Sequence, residues 1–334
     1  RARRVYLSIA VMAKKKYKKH VKGKGSEGVE EEFEHFVTMT DGTGLVHCAP
    51  GHGQTDNLFG KHFNLPVVSP VNEQGLFTNE VEQWAGKFVK SAGMDKLVIE
   101  YLKERNELFH SDKIVHSYPL CWRCKTPLIF RVSEQIFLTV EPIKAKMLHE
   151  NNYTNWMPEY GQEAFGNWVA QANDWCVSQQ RFWGIPIPLW KCAQCGSKKV
   201  IGSVQELKEN AVDKHHEKNS ASLVDFDNLQ DLHRGTVDAI ELKCNCGNAM
   251  KRTPDIFNVW VDSGIAPWAS LGYPFHNKEL FEKVFPVDLV NESQDQVRGW
   301  FYAMQFLAAA TFGKPAFKSV AMMGWVVDEK GEKM

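Results

Sequence analysis

The chain has 334 residues, of which 43% are hydrophobic and 24% are charged, a composition typical of a folded globular protein rather than a disordered one. This length exceeds what one ordinary hydrophobic core needs, so we expect two or three modules. The 40 basic residues balance the 40 acidic ones, so net charge alone neither requires nor excludes a nucleic-acid partner.

The first forty residues combine a strand-like run with two blocks of opposite charge. The chain begins without methionine in an apolar run, Val5–Val11, and it ends at GEKM. We therefore expect an internal piece of a longer protein. A lysine-rich block over 14–25 precedes an acidic block over 27–34. Such blocks are typical of a solvated hairpin or loop, and RNA contact by the lysines is the alternative.

A glycine-rich stretch follows, GTGLVHCAPGHGQTD over residues 42–56. It contains two histidines, His47 and His52, and closes with Asp56. Glycine at this density lets the backbone adopt unusual angles and lets another group approach closely, which predicts a tight functional loop after a strand. A purely structural loop is the alternative.

An amphipathic helix is predicted from Gly93 onward. The apolar residues Met94, Leu97, Val98 and Tyr101 recur at helical spacing, and they would form one buried face.

The eight cysteines include three close pairs. In a chain without a secretory signal, this usage favours metal or redox chemistry over disulfides, and a cytoplasmic location. Two of the pairs bound a polar, lysine-rich insert that needs a staple, and four thiolates in two tight pairs are typical of a closed structural zinc site. A redox pair and an iron–sulfur cluster are the alternatives. The predicted ligands are Cys192, Cys195, Cys244 and Cys246.

The third pair, Cys121 and Cys124 in CWRC, has no matching pair within the sequence. It is either half of a second zinc site, completed by residues upstream of Arg1, or a free thiol pair. Thioredoxin-like chemistry is disfavoured because no strand–CxxC–helix context surrounds the pair.

The last eighty residues predict an α/β crossover unit. A β run at Pro286–Asn291 is followed by the loop ESQDQ, an apolar helix at Val297–Phe312 that ends at Gly313, and a second β run at Ser319–Val327. The longest apolar run, 299–313, is shorter than the roughly 20 residues that cross a bilayer. Ligands of such units bind at the carboxyl ends of the strands. This places three polar side chains at the predicted site: Glu292, Asp295 and Gln296.

Six segments occur in the order in which they stand in isoleucyl-tRNA synthetases, which are class I aminoacyl-tRNA synthetases. They are GTGLVHCAPGHGQTD, HSYPLCWRCKTPLIFR, WCVSQQRFWGIPIP, IFNVWVDSG, ESQDQVRGWF and DEKGEKM. The chain resembles this family over nearly its whole length. The last segment resembles the start of the family's Lys-Met-Ser-Lys-Ser signature.

The resemblance implies an α/β fold, the second half of a class I synthetase Rossmann domain with an inserted β-rich editing domain and a small zinc-binding insert. It implies an incomplete editing domain at 1–112 and a return stalk with half a zinc site at 113–160. The catalytic Rossmann domain would occupy 161–190 and 253–334, separated by the zinc insert at 191–252. The family's His-x-Gly-His element and the threonine-rich strand of its editing site are absent from the sequence.

The resemblance also implies two sites. In the editing site, which hydrolyses valine mischarged to the tRNA, Asp56 would hold the α-amino group and His47 would help exclude isoleucine. In the synthetic site, Lys333 would open the signature loop, whose second lysine stabilises the pyrophosphate-leaving transition state. The residues implied to bind the aminoacyl-adenylate are Glu292, Ser293, Asp295 and Gln296, with Trp260 and Trp300 as walls of the isoleucine pocket. Core packing is the alternative for both tryptophans.

The implied reaction is ATP-dependent ligation of isoleucine to tRNA(Ile), with zinc as structural metal and magnesium accompanying ATP, in a monomer without a membrane partner. Gln179 stands where the family usually has arginine, and Met323 where many members have histidine. A valyl- or leucyl-tRNA synthetase relative is the alternative enzyme, although DQVRGWF favours isoleucine. A free-standing deacylase or a zinc-bearing RNA-binding module are alternatives of another class. The first would not need ESQDQVRGWF, and the second would be expected to carry net positive charge.

Overall fold

The protein is described from a computed structural model. The described residues are 12–17, 29–34, 46–113, 115–121, 123–212, 226, 229 and 231–332, with the first two ranges described by their backbone alone. The chain divides into two compact units, Arg1–Glu134 and Gln135–Met334, and each is described by itself below. No helix among these residues is long and apolar enough to span a membrane.

The charge blocks of the first unit form a hairpin. Strand β1 (Met12–Tyr17) pairs antiparallel with β2 (Val29–Glu34), and Lys14, Lys15 and Lys16 lie opposite glutamates. Opposite charges at directly paired positions stabilise a two-stranded ladder. The hairpin interpretation is confirmed for these residues, whereas the strand predicted at Val5–Val11 lies outside the described residues.

The rest of the described first unit contains helices α1 (Gln54–His62) and α2 (Met94–Glu104), with a 3-10 turn at Glu82–Trp84. Helix α2 confirms the predicted amphipathic helix, and it begins after Gly93, whose φ of +83° few other residues adopt. Apart from β1 and β2, β pairing within the described part of this unit consists of isolated bridges.

The second unit alternates short strands and helices. In chain order these are β3 (Phe137–Leu138), α3 (Glu141–Asn151), β4 (Asn155–Met157), α4 (Tyr160–Gln171), β5 (Trp175–Cys176), β6 (Ser178–Gln179), β7 (Leu189–Cys192), β8 (Lys198–Val200), α5 (Val204–Asn210), α6 (Arg234–Val237), β9 (Leu242–Lys243), β10 (Ala249–Arg252), β11 (Ile256–Phe257), α7 (Val259–Gly264), α8 (Ala266–Ala269), α9 (Lys278–Val284), β12 (Val287–Ser293), α10 (Trp300–Phe312) and β13 (Phe317–Met323).

A three-stranded parallel sheet in the order β12-β13-β4 lies at the centre of this unit. Helix α10 connects β12 to β13, so the predicted parallel crossover is confirmed. The strand bounds differ from the prediction. Strand β12 runs on to Ser293, because Glu292 and Ser293 pair with β13, and β13 ends at Met323 rather than Val327, because the chain leaves the sheet at Gly324.

Helix α10 is buried on all sides from Phe301 to Ala309, as expected for an apolar helix inside a domain. It starts later than predicted, because Gln294–Arg298 form a 3-10 turn and Gly299 separates that turn from the helix. Its predicted end is confirmed, since Gly313 adopts a φ of +62° and its N–H bonds to Ala309.

The cysteine insert (residues 189–252) is an antiparallel sheet in the order β8-β7-β10-β9. The indole N–H of Trp190 donates to the carbonyl oxygen of Ile240 at 2.8 Å. A small apolar cluster covers one side of the sheet; its buried members are Trp190, Cys192, Ile201, Leu207, Ile240, Leu242 and Met250.

Candidate functional site

The glycine-rich loop of the first unit is held by close backbone approach. A Cβ atom on Gly51 would collide with the carbonyl oxygen of Val68, and one on Gly60 would lie 2.9 Å from the ring of Pro50. Val132 donates its N–H to the carbonyl oxygen of Gly51 at 2.8 Å. Glycine is therefore required where this loop packs against its neighbours, which is the close approach that the sequence predicts.

Asp56 lies in the first turn of α1, where a helix favours negative charge. Its Oδ2 accepts a hydrogen bond from the N–H of Ala49 at 2.9 Å, and the side chain is half-buried. His47 is exposed on the approach to the same loop. His52 bonds through Nδ1 to the carbonyl oxygen of Phe130 at 2.8 Å. Because a carbonyl only accepts, Nδ1 of His52 carries the proton.

The four cysteines of the insert come together as a cluster. Cys192 and Cys195 flank the turn after β7, and Cys244 and Cys246 the turn after β9. Strand β10 pairs with both β7 and β9, so the two turns meet at one end of the sheet. All four sulfur atoms lie within 4.8 Å of one another.

The sulfur separations fit a tetrahedral metal. The Sγ–Sγ distances are 3.6 Å for Cys192–Cys246, 3.5 Å for Cys195–Cys244 and 3.5 Å for Cys244–Cys246. Four sulfurs bound to one zinc at about 2.3 Å are separated by about 3.8 Å. The donor set and its spacing therefore fit zinc with little adjustment.

The thiols of this cluster have unequal pKa values. The hydroxyl and backbone of Ser197 lower the pKa of Cys195 to about 6. For Cys244 the N–H of Cys246 favours the thiolate, but neighbouring thiols and burial outweigh it and raise the pKa to about 11. Four thiolates this close repel one another, so full ionisation requires a cation among them.

Cys121 and Cys124 bracket a tight turn in the first unit. Lys125 donates its N–H to the carbonyl oxygen of Cys121 at 2.8 Å, and the Cys124 thiol lies 3.1 Å from the Thr126 hydroxyl. Hydrogen bonding to Thr126 lowers the pKa of Cys124 to about 7. Within the part of the chain that the structure describes, no third metal-ligating side chain joins this pair in a cluster.

The predicted polar residues meet at the carboxyl end of β12. Ser293 is the last residue of the strand, and its hydroxyl bonds to the carboxylate of Asp295 in the following 3-10 turn. The amide of Gln296 lies 3.4 Å from the same carboxylate, and Glu292 is exposed. Met323, where the resemblance implies histidine, pairs with Ser293 across the sheet. This is where ligands of parallel α/β sheets bind.

Trp260, Gln296 and Trp300 surround Gly299. Gln296 Oε1 accepts the backbone N–H of Trp300 at 2.9 Å, and the Trp300 indole N–H donates to the carbonyl oxygen of Ser263 at 2.9 Å. A Cβ atom on Gly299 would lie 2.7 Å from Gln296 Oε1 and 3.3 Å from the Trp260 ring. Sequence analysis missed Gly299, although a glycine at the start of an apolar helix is a signal that could have indicated it.

Two predicted residues add little to this geometry. Lys333 lies outside the described residues. Gln179, where the resemblance implies arginine, is half-buried in β6 and pairs with Ile256 of β11.

Comparison with known proteins identifies relatives over almost the whole chain. A family profile described as tRNA synthetases class I (I, L, M and V) matches residues 10–334. The isoleucine–tRNA ligase of Methanothermobacter marburgensis is 46% identical over 300 residues, which are 89% of this chain and 27% of that protein. The isoleucine–tRNA ligase of Archaeoglobus fulgidus is 43% identical over 303 residues, which are 90% of this chain and 28% of that protein.

The chain thus spans less than a third of the length of these curated relatives. Among solved structures, a complex of an Agrobacterium radiobacter LeuRS with tRNA and LeuAMS is 22% identical with a TM-score of 0.34, covering 49% of this chain and 21% of that one.

Proposed function

Because the chain belongs to the class I tRNA synthetase family, we propose that it is the central part of an isoleucine–tRNA ligase. The observation that carries this is 43–46% identity to archaeal isoleucine–tRNA ligases over about nine-tenths of the chain. The whole protein would activate isoleucine with ATP and magnesium and transfer it to tRNA(Ile). We further propose a monomer in the cytoplasm, as the reduced cysteines suggest.

The synthetic site would lie at the carboxyl end of β12. Glu292, Ser293, Asp295 and Gln296 would bind the aminoacyl-adenylate through its ammonium group and ribose hydroxyls. Their position after a central parallel strand supports this assignment. Trp260 is 38% exposed, so its ring has a free apolar face for a branched side chain. Lys333 would contribute positive charge where pyrophosphate leaves.

The editing site would use the glycine-rich loop. Asp56 would hold the α-amino group of valine on mischarged tRNA, and His47 would exclude isoleucine. A carboxylate that anchors the ammonium orients the ester for attack by water. A second site is needed because one methylene contributes too little binding free energy for rejection, a limit established on isoleucine synthetases themselves.

Zinc would be bound by Cys192, Cys195, Cys244 and Cys246 as a structural ion. The sulfur separations support this assignment. Bound zinc would supply a rigid link between the two turns of the insert, without an open coordination position for chemistry. Cys121 and Cys124 would be two ligands of a second zinc site whose other ligands lie elsewhere in the protein.

A chimera tests the proposed function. Residues 10–334 would replace the matching segment of the Methanothermobacter marburgensis ligase, and amino-acid-dependent exchange of pyrophosphate into ATP would be measured with isoleucine, valine and leucine. We expect isoleucine-dependent exchange and a loss of at least tenfold in the Glu292→Gln chimera. The matched control is Asp288→Asn, which removes an exposed carboxylate near the other end of β12.

Preference for valine or leucine would identify the alternative relatives. Folded, zinc-loaded chimera without exchange for any of the three amino acids would contradict the proposal and favour a deacylase or binding module. The isolated 334-residue chain is expected to show no exchange.

A further inference from the structure

A cavity of about 630 Å³ lies beside the carboxyl end of β12, between helix α4 and the 3-10 turn Gln294–Arg298. We call it the aromatic groove, and define it by six of its lining residues: Tyr160, Trp168, Gln171, Gln294, Arg298 and Trp325. Three large rings and a guanidinium group around one cavity are an unusual combination for a surface that binds nothing. None of the residue roles inferred from the sequence accounts for them.

Arg298 is exposed and held in place by stacking. Its guanidinium carbon lies 5.4 Å from the centre of the Trp168 ring. A planar guanidinium on an indole face is attracted to the ring while its N–H groups remain available to a ligand. Trp168 itself is half-buried and contacts the ring of Tyr302 edge-on at 6.0 Å, so the platform beneath Arg298 is fixed from below.

The other two rings present free faces. Tyr160 is 57% exposed, and its hydroxyl donates to Gln294 Oε1 at 3.1 Å. This bond orients the Gln294 amide so that its NH₂ group is left to donate elsewhere. Trp325 is 41% exposed. The groove therefore offers stacking faces, an amide donor and a cation within one cavity.

We propose that the aromatic groove binds an unpaired nucleotide together with its phosphate. The base would stack on Tyr160 or Trp325, the amide of Gln294 would donate to the base edge, and Arg298 would donate two N–H groups to phosphate oxygens. Stacking on aromatic rings beside a cationic group is how proteins bind single-stranded nucleic acid without requiring a sequence. An acidic peptide would use Arg298 but leave the aromatic faces unused.

This inference rests on the proposed function for the source of the nucleotide. With that function, the ligand is the single-stranded acceptor end of the tRNA, which must reach the aminoacyl-adenylate at Asp295, itself a lining residue of the groove. The alternative source of the same chemistry is a free mononucleotide such as ATP.

The experiment measures the affinity of the 334-residue chain for a labelled RNA hexamer ending in CCA, and separately for ATP, across a series of salt concentrations. We expect Arg298→Gln to weaken hexamer binding at least fivefold. Loss of one phosphate contact should also reduce the slope of log affinity against log salt by about 0.7. Arg298→Lys should keep the salt slope, because the charge remains, but bind more weakly than the unchanged chain.

Lys318→Gln is the matched control. It removes one exposed positive charge near the start of β13, where Lys318 pairs with Asp288 at 2.7 Å, at the end of the sheet opposite the groove. Its hexamer affinity and salt slope should equal those of the unchanged chain. Circular dichroism and thermal melting of each variant establish that it is folded.

Equal hexamer affinity in folded Arg298→Gln and the unchanged chain would overturn the proposal. Arg298-dependent binding of ATP that is as tight as that of the hexamer would assign the groove to a free nucleotide and overturn the acceptor-end assignment. Failure of the proposed function is recognised separately, because pyrophosphate exchange in the chimera depends on Glu292, whereas hexamer binding depends on Arg298.

Discussion

The cysteine insert and the parallel-sheet region hold their candidate functional side chains by different means. In the insert, four thiols meet above a small apolar cluster around Trp190 and Leu242. In the sheet region, helix α10 is buried from Phe301 to Ala309, and Trp156 packs against both Phe301 and Phe317. The first region has too little apolar area to fix its turns without a metal, whereas the second has a core large enough to fix its loops.

This difference determines what each region can tolerate. The two cysteine turns are joined in space only through β10 and the thiols themselves. By contrast, the loop that carries Asp295 and Gln296 is anchored at one end by β12 and at the other by α10. We therefore expect metal loss to disorder the insert while the sheet region keeps its fold.

The largest effect is expected from removing two metal ligands. Changing both Cys244 and Cys246 to serine should release the zinc, because two thiolates cannot hold it in a four-sulfur site. Structural zinc contributes about 10–16 kcal/mol of apparent binding free energy in small zinc modules, so the insert should unfold. Elemental analysis would report the metal, and limited proteolysis with mass spectrometry would report which segment is cut.

Serine at Cys48, which lies outside the cluster, is the matched control and should keep one zinc per chain. Retention of zinc in the double variant would contradict the metal assignment. Cleavage spread equally over the insert and α10 would contradict the contrast between the two regions.

The cysteine cluster was predictable because its information is local. Each pair lies on one short turn, and four thiols in a polar insert leave few chemical alternatives to zinc. The crossover from β12 to β13 was equally predictable, since one apolar helix separates two β runs. By contrast, helix α3 was missed because it buries Lys144 and Asn151 among its apolar residues, which obscures the helical spacing.

Contacts between distant residues were beyond the reach of sequence patterns. Trp168 and Arg298 are 130 positions apart, and nothing local to either residue indicates that they stack. Gly299 was missed for a related reason, because its close neighbour Trp260 lies in another helix. The positions of Glu292, Asp295 and Gln296 at a strand end were predictable, whereas the packing that orients their side chains was not.

The second largest effect concerns the ion pair of the insert. Arg252 is buried, and its Nε donates to Asp238 Oδ1 at 2.6 Å. Its Nη1 also bonds to the carbonyl oxygens of Ile187 and Asp255. Asp238→Asn would leave the buried guanidinium without its carboxylate, and breaking a buried pair costs about 3–5 kcal/mol. We expect about 3 kcal/mol, because Asp238 is partly exposed and the two carbonyl acceptors remain.

Chemical denaturation of the zinc-loaded chain measures this loss of unfolding free energy. Lys251→Gln is the control, because Lys251 is 80% exposed and lies 3.9 Å from Glu241, and exposed pairs contribute about 0–1 kcal/mol. If the two variants were equally stable, the insert would depend on the metal alone.

The third effect appears at high pH in the sheet region. Burial, and then the negative charge of Asp174, raises the pKa of Tyr302 to about 12, above its usual value of about 10. Because the folded state holds this proton more tightly, the stabilisation is complete below pH 10 and is lost as the pH rises from 10 to 12. Two pKa units correspond to a loss on the order of 2 kcal/mol.

Tyr302→Phe should abolish this part of the alkaline loss, and the measurement is unfolding free energy at pH 8, 10 and 11.5. The Tyr302 hydroxyl is buried with no hydrogen-bond partner in the described structure, so the substitution should change stability at pH 8 by less than about 1 kcal/mol. Parallel pH curves for the two chains would show that Tyr302 does not titrate as expected. Tyr153→Phe, at a position 75% exposed, controls for loss of a hydroxyl.

The smallest effect tests whether packing at α10 orients the proposed adenylate site. Gly299→Ala would place a methyl group 2.7 Å from Gln296 Oε1, which must then leave the N–H of Trp300. Losing one such hydrogen bond costs about 1 kcal/mol, and the Gln296 amide would no longer be fixed. We expect a similar loss of unfolding free energy, together with several-fold weaker binding of a non-hydrolysable isoleucyl-adenylate analogue, measured by calorimetry.

Gln296→Ala separates the two contributions. In that variant the amide is already absent, so adding Gly299→Ala should weaken analogue binding no further than contact with the Trp260 ring requires. Non-additivity of the two substitutions would show that Gly299 acts through Gln296. Additive losses would instead place its effect in the backbone of the turn, and the sheet region would then resemble the insert in depending on a local constraint rather than on its core.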